Sequence, residues 1–227
     1  MNNIYLFIRG PLALAAFAIF LIGIIWRVVW YVRGLDWRLD RVAYKEKLDY
    51  GIKGALRSLV HWVFPLNYTT MSHPIFMGAT YFFHFCIFIS AIFLSAHVML
   101  IEESWGISWY SIPDTVADYM TVAVIAICGF FFMRRLTVPY VKAISTRSDF
   151  FVLAIAVAPF ITGFIAYHQV MSYKFWLILH ILSGEAMLVA IPFTKLSHFV
   201  LFFCSRVQIG MDYGIKRGGQ HGKGIVW

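Results

Sequence analysis

The stretch Phe175–Phe203, FWLILHILSGEAMLVAIPFTKLSHFVLFF, carries two charged residues, Glu185 and Lys195, in a mostly apolar run, and it holds His180 and His198. A helix that crosses a bilayer needs roughly 20 apolar residues, so this stretch reads as a membrane span. Outward from it, four more runs qualify: about Pro11–Val32, Pro74–Ile101, Val116–Met133 and Phe150–His168. The expected fold is all-α, an integral membrane five-helix bundle over residues 1–205 with a tail over 206–227. The first run continues past Trp26 without a small-residue cleavage site, which favours a span over a signal peptide.

Composition supports the same class. Of 227 residues, 61% are hydrophobic and 13% charged, against about 45–50% and a quarter in soluble domains. That balance excludes a soluble enzyme domain, a disordered chain and a disulfide-rich secreted domain. The net charge is +8, but the basic residues sit between apolar runs, so the lipid bilayer and not nucleic acid is the expected polyanion. Cys86, Cys128 and Cys204 form no CxxC and no CxxCH, which leaves iron–sulfur ligation and covalent haem attachment unsupported.

Lys and Arg set the expected orientation. Arg33, Arg38, Arg41, Lys45, Lys47, Lys53 and Arg57 fall between the first two spans, and the loop 134–148 and the tail are also basic. Glu102–Thr115 has no Lys or Arg but carries Glu102, Glu103 and Asp114. The positive-inside rule then puts the N-terminus outside and the C-terminus in the cytoplasm, in a multi-pass protein of the cell inner membrane. Between the first two spans, Leu56, Leu59, Val60 and Val63 recur at helical spacing within the segment 36–64. That segment reads as an amphipathic helix on the membrane surface or against a cytoplasmic partner.

Histidine is scarce in lipid because its ring needs a polar partner. Here His84 and His97 fall in the second span, and His180 and His198 in the fifth. Two helices with two histidines each suit two bis-histidine haems, each iron taking one imidazole from either helix. On ideal helices His180 and His198 share a face roughly 27 Å apart, whereas His84 and His97 are roughly 20 Å apart and about 140° around the axis. Helix tilt or a local distortion has to absorb that mismatch. The expected pairs are His97 with His180 on the outer side and His84 with His198 on the inner side. His73 rivals His84, but Pro74 biases it away from helical geometry. His61 and His221 read as solvated. His168 reads as a quinone or haem-propionate contact, or as a plain interfacial histidine. Glu185 is a candidate proton acceptor, or a hydrogen-bond partner for a ligand histidine or Ser183. A second functional class, a proton or metal transporter lined by histidine and glutamate, uses the same residues as a relay. A third is a membrane anchor with no redox role.

The sequence Tyr81-Phe82-Phe83-His84, the later His97, and the run from His180 to Pro192-Phe193-Thr194-Lys195-Leu196-Ser197-His198 resemble the membrane cytochrome b (gamma) subunit of respiratory nitrate reductase. The pattern His180-Ile-Leu-Ser-Gly-Glu185 is more similar to relatives in heterodisulfide-reductase-like and sulfate-reducer transmembrane redox complexes of the Hmc, Tmc and Dsr types. The resemblance implies two b haems on the four histidines and electron transport in anaerobic respiration, with menaquinone as a further cofactor. It also implies a cytoplasmic iron–sulfur partner resembling heterodisulfide reductase, other membrane subunits, and a multihaem cytochrome c on the periplasmic side. Such a chain is an electron-transfer subunit and does not act on a soluble substrate alone.

Overall fold

The computed structural model describes residues 2–35, 48–64 and 68–216. His221 and the basic residues Arg38, Arg41, Lys45, Lys47, Arg217 and Lys223 lie outside them. Among the described residues every regular element is helical. In chain order they are α1 (Asn2–Phe7), a π-turn (Ile8–Leu12), α2 (Ala13–Gly34), α3 (Leu48–Val63), α4 (Tyr68–Ser72), α5 (Pro74–Phe93) and α6 (Ser95–Trp105). There follow α7 (Asp114–Thr137), α8 (Pro139–Ile144), α9 (Arg147–Tyr167), α10 (Tyr173–Phe193), a 3-10 turn (Lys195–Ser197) and α11 (His198–Lys216). Five helical stretches are long and apolar enough to cross a membrane: Asn3–Gly34, Pro74–Phe93, Asp114–Thr137, Arg147–Tyr167 and Tyr173–Phe193. The chain is thus a helical, multi-pass membrane protein.

Two expected spans are shorter than the hydropathy suggested. The run 74–101 is not one helix: Leu94 is extended (φ −65°, ψ 132°) and separates α5 from α6. The run 175–203 is likewise broken. Pro192 sits in the last turn of α10, where it removes a backbone donor, and Thr194 is extended (φ −120°, ψ −173°). The Thr194 hydroxyl accepts from the Leu196 N–H and starts the 3-10 turn, and His198 opens α11. His180 and His198 therefore do not share one straight helix, and the five-turn alignment expected of them does not apply. α11 runs on to Lys216, so residues 206–216, expected as tail, are helical.

The chain forms two compact units, Met1–Ile19 with Ala79–Ala190, and Phe20–Gly78 with Ile191–Trp227. In the first, Phe83, Cys86, Met120, Val124 and Cys128 form a buried core between α5 and α7, with Leu153, Val157 and Phe160 of α9 packed on it. A Thr146–Asp149 capping box starts α9 and satisfies donors that the first turn would leave open. Pro11 lacks an N–H, and the chain passes it as a π-turn in which the Ala13 N–H reaches Ile8 O. Arg9 pairs with Glu103, and Phe17 meets Trp105 edge-on, tying the N-terminal helix to α6.

In the second unit α3 packs on α11 through small residues. Gly51, Gly54, Ala55 and Ser58 recur at helical spacing and are the buried residues of α3. A Cβ at Gly210 of α11 would stand 2.5 Å from Gly54 O and 2.6 Å from Ala55 Cα. Only glycine permits that approach. Arg206 lies over the Trp62 ring, 4.5 Å from its centre, and Arg27 Nε donates to Pro192 O at 2.7 Å, satisfying a carbonyl at the end of α10. Gly210→Ala should destabilise this helix pair by about 1–3 kcal/mol through overpacking, read as a lower midpoint in detergent-denaturation curves. An unchanged midpoint would contradict the close crossing.

Candidate functional site

The break at Leu94 decides where His97 goes. Ending α5 orphans its last carbonyls, which water cannot satisfy inside a bilayer. Each has a partner: Ser90 O accepts from Leu94 N (3.3 Å), Ile92 O from Trp109 Nε1 (2.9 Å) and Phe93 O from Ile112 N (2.9 Å). Ala91 O is taken by His97 Nδ1 at 3.0 Å. A carbonyl only accepts, so Nδ1 carries a proton, and in the neutral ring the lone pair is then on Nε2.

His180 is held from another helix. Its Nδ1 donates to Pro159 O of α9 at 2.8 Å. The ring can reach that carbonyl because position 163 is glycine: a Cβ there would lie 2.9 Å from His180 Nδ1 and 3.0 Å from Cε1. One turn away, Thr162 Oγ1 meets Ser183 Oγ at 3.1 Å, and Ser183 donates to His180 O at 2.8 Å, fixing the register of α9 against α10.

The two rings come together. His97 and His180 lie 6.0 Å apart between ring centres and 8° from parallel. A metal held between two imidazole nitrogens at about 2 Å each separates the ring centres by roughly 6 Å. With Nδ1 of each ring directed to a carbonyl, Nε2 is the nitrogen that a neutral imidazole would offer to a metal. Among the described residues no group of three or more His, Cys, Asp or Glu could hold a metal ion.

His84 Nδ1 donates to Thr80 O at 2.7 Å and His198 Nδ1 to Lys195 O at 2.9 Å, which gives both the same tautomer. These bonds reach back one turn, as His61 also does to Arg57 O, so they are less distinctive than the bonds of His97 and His180. His84 belongs to the first unit, with Phe83 edge-on at 5.5 Å, and His198 to the second. His73 is exposed at the bend before α5. His168, at the end of α9, bonds through the other nitrogen, Nε2, to Asp118 Oδ1 at 2.8 Å. Glu185 is 8% exposed, and neither carboxyl oxygen has a hydrogen-bond partner among the described residues. It bonds neither Ser183 nor a ligand histidine, the structural alternative raised for it. The hydroxyl of Ser90 is likewise buried and unpartnered.

Sequence reasoning missed Gly163, Pro159 and Asp118 as neighbours of these histidines. A Pro and a Gly four residues apart in an apolar span were the available signal for the first two. Asp118 had none beyond its place near a span end. In protein labelled with 15N-histidine, ring shifts should show His180 as a single Nδ1–H tautomer, and Gly163→Ala should give a mixture as the ring leaves Pro159 O. Unaltered shifts in that variant would mean that the ring does not lie against Gly163.

No protein-family model matches the chain, and no solved structure matches it. A relative from Nitratidesulfovibrio vulgaris (strain Hildenborough), described as "Protein", is 44% identical over 225 residues, covering 98% of this chain and 100% of the relative. With that identity sustained from end to end, the chain belongs to the family of the Nitratidesulfovibrio vulgaris protein.

Proposed function

We propose that the chain is the membrane cytochrome b subunit of a respiratory redox complex. In this reading it carries electrons through two b haems, between a menaquinone pocket or periplasmic cytochrome c and a cytoplasmic iron–sulfur partner. The observation that carries the reading is the His97–His180 pair: parallel rings at 6.0 Å, each with its Nδ1 proton spent on a backbone carbonyl. The resemblance of the His180–His198 run to nitrate-reductase-type cytochrome b subunits supports it from the sequence side. His84 and His198 are the proposed ligands of the second haem. Arg33, Lys53, Arg57, Arg134, Arg135 and Arg206, set against the acidic 102–114 segment, support an N-terminus outside and a C-terminus in the cytoplasm of the inner membrane.

A haem bound on each pair would supply one-electron storage at two depths, dividing a hydrocarbon crossing of roughly 30 Å into shorter hops. The work of the chain is ligation and positioning. Pro159 O and Ala91 O fix the tautomers and orient the imidazoles, and the Thr162–Ser183 contact keeps His180 in register with α9. The closely packed helices around Val124 and Cys86 exclude water from the apolar core of the same unit. The His168–Asp118 pair, with the Phe164 ring 4.3 Å from His168, is the proposed quinone contact.

Glu185 favours a second reading, a proton path, because a buried carboxyl without a partner is expensive in lipid unless it has a role. One experiment separates the two. A dithionite-reduced minus oxidised spectrum of the purified protein, with pyridine haemochrome quantification, should give two b haems per chain. His97→Ala and His180→Ala should each remove the same half of the pigment, and His84→Ala and His198→Ala the other half. A colourless protein whose proton flux depends on Glu185 would sink the cytochrome reading.

A further inference from the structure

α3 presents three different faces. The small face, Gly51, Gly54, Ala55 and Ser58, is buried, with Gly54 and Ala55 against Gly210 of α11. Beside it runs an apolar stripe that no described residue covers: Leu48 is 50% exposed, Ile52 48%, Leu56 58%, Val60 46% and Val63 48%. At about 100° per residue, Leu48, Ile52, Leu56 and Val63 fall within about 80° of arc, and Lys53 and Arg57 follow on the next sector. The stripe extends along a helix of about 24 Å. Soluble surfaces rarely leave so long an apolar patch in water.

We infer that α3 is an interfacial helix seated in one leaflet. Its Leu48–Val63 stripe enters the boundary between headgroups and acyl chains, and Lys53 and Arg57 rest on anionic lipid phosphates. Three observations favour lipid over a protein partner as the occupant. α3 lies in sequence between two helices long and apolar enough to cross a membrane, Asn3–Gly34 and Pro74–Phe93, with 10 residues (64–73) before the second. Ten residues reach at most about 35 Å, so its C-terminal end cannot stray far from the bilayer. Lys53 and Arg57 form no ion pair among the described residues, and the sequence has no Asp or Glu from Tyr50 to Ile101. Their charge is therefore available to an anionic surface, toward which basic side chains snorkel along their apolar stems. Finally, α11 already occupies the small face, the one suited to helix–helix packing, and leaves outward the bulky apolar residues that interfacial helices insert. This inference rests on the membrane-spanning helices alone and stands or falls independently of the haems.

The test uses the full chain, reconstituted in vesicles of phosphatidylcholine and phosphatidylglycerol, with Cys204→Ser to remove the partly exposed thiol; Cys86 and Cys128 are buried. Single nitroxide labels are placed at Ile52→Cys, Leu56→Cys and Arg57→Cys, and their collisions with oxygen and with a water-soluble nickel chelate are measured. The stripe labels should favour oxygen several-fold more than the Arg57 label does. Moving to vesicles of phosphatidylcholine alone, or introducing Lys53→Gln with Arg57→Gln, should reduce that preference at Leu56. Stripe labels as open to the chelate as the Arg57 label would overturn the inference by placing the stripe in water. Stripe labels shielded from both reagents would overturn it in favour of a covering protein surface. A preference at Leu56 that ignores both lipid charge and the two cations would overturn the assignment to anionic lipid.

Discussion

Everything distinctive in this structure follows from backbone carbonyls that a bilayer cannot hydrate. An unsatisfied carbonyl in hydrocarbon costs several kcal/mol, so a helix that stops within or near the membrane needs donors from elsewhere. α5 stops at Phe93, and its freed carbonyls are met by the 106–113 loop and by the His97 ring. α10 stops at Phe193, and Arg27 meets Pro192 O. The donor that closes Ala91 O is an imidazole N–H, so closing the helix end also sets the tautomer of His97. One proton thus serves both the fold and the lone pair left on Nε2.

Small residues set the other half of the design. Lipid supplies no hydrophobic drive between helices, so close backbone approach and polar contacts must hold them. Gly163 lets the His180 ring lie against α9 and reach Pro159 O, while Gly210 lets α11 close on Gly54 and Ala55. The two glycines act at different levels. The first positions a side chain, the His180 ring, against a carbonyl of the neighbouring helix. The second seals one face of an amphipathic helix and thereby decides which of its faces is left outward.

The polar groups divide along the same lines. His97, His180, Ser183 and Thr162 are mutually or locally satisfied, as buried polar groups in a low-dielectric setting must be. Glu185 and the Ser90 hydroxyl are buried without partners among the described residues, and buried orphan groups in native proteins tend to mark places where something else binds or moves.

The helical class and the presence of five apolar spans were legible in the sequence, because each rests on composition and on runs of apolar residues, which are properties of the chain alone. Of the four histidines assigned to spans, His84 and His180 lie in them, whereas His97 and His198 fall on the helices that follow the breaks. Helix ends were less legible: Pro192 marks the end of α10, yet hydropathy carried the expected span through it to Phe203. The break at Leu94 was not legible, since Leu-Ser-Ala-His carries no breaker. It exists because Trp109, Ile112 and His97 outbid the helix for the carbonyls of α5, and those donors arrive only when the chain folds. That His97 and His180 come together was expected from the sequence, but the break that brings the His97 ring to Ala91 O was not. The Pro159 acceptor and the space at Gly163 are contacts across helices, invisible to any local pattern. Hydropathy along the chain determined what enters the membrane, and hydrogen bonds between distant segments decided where each helix ends and which nitrogens are left to act.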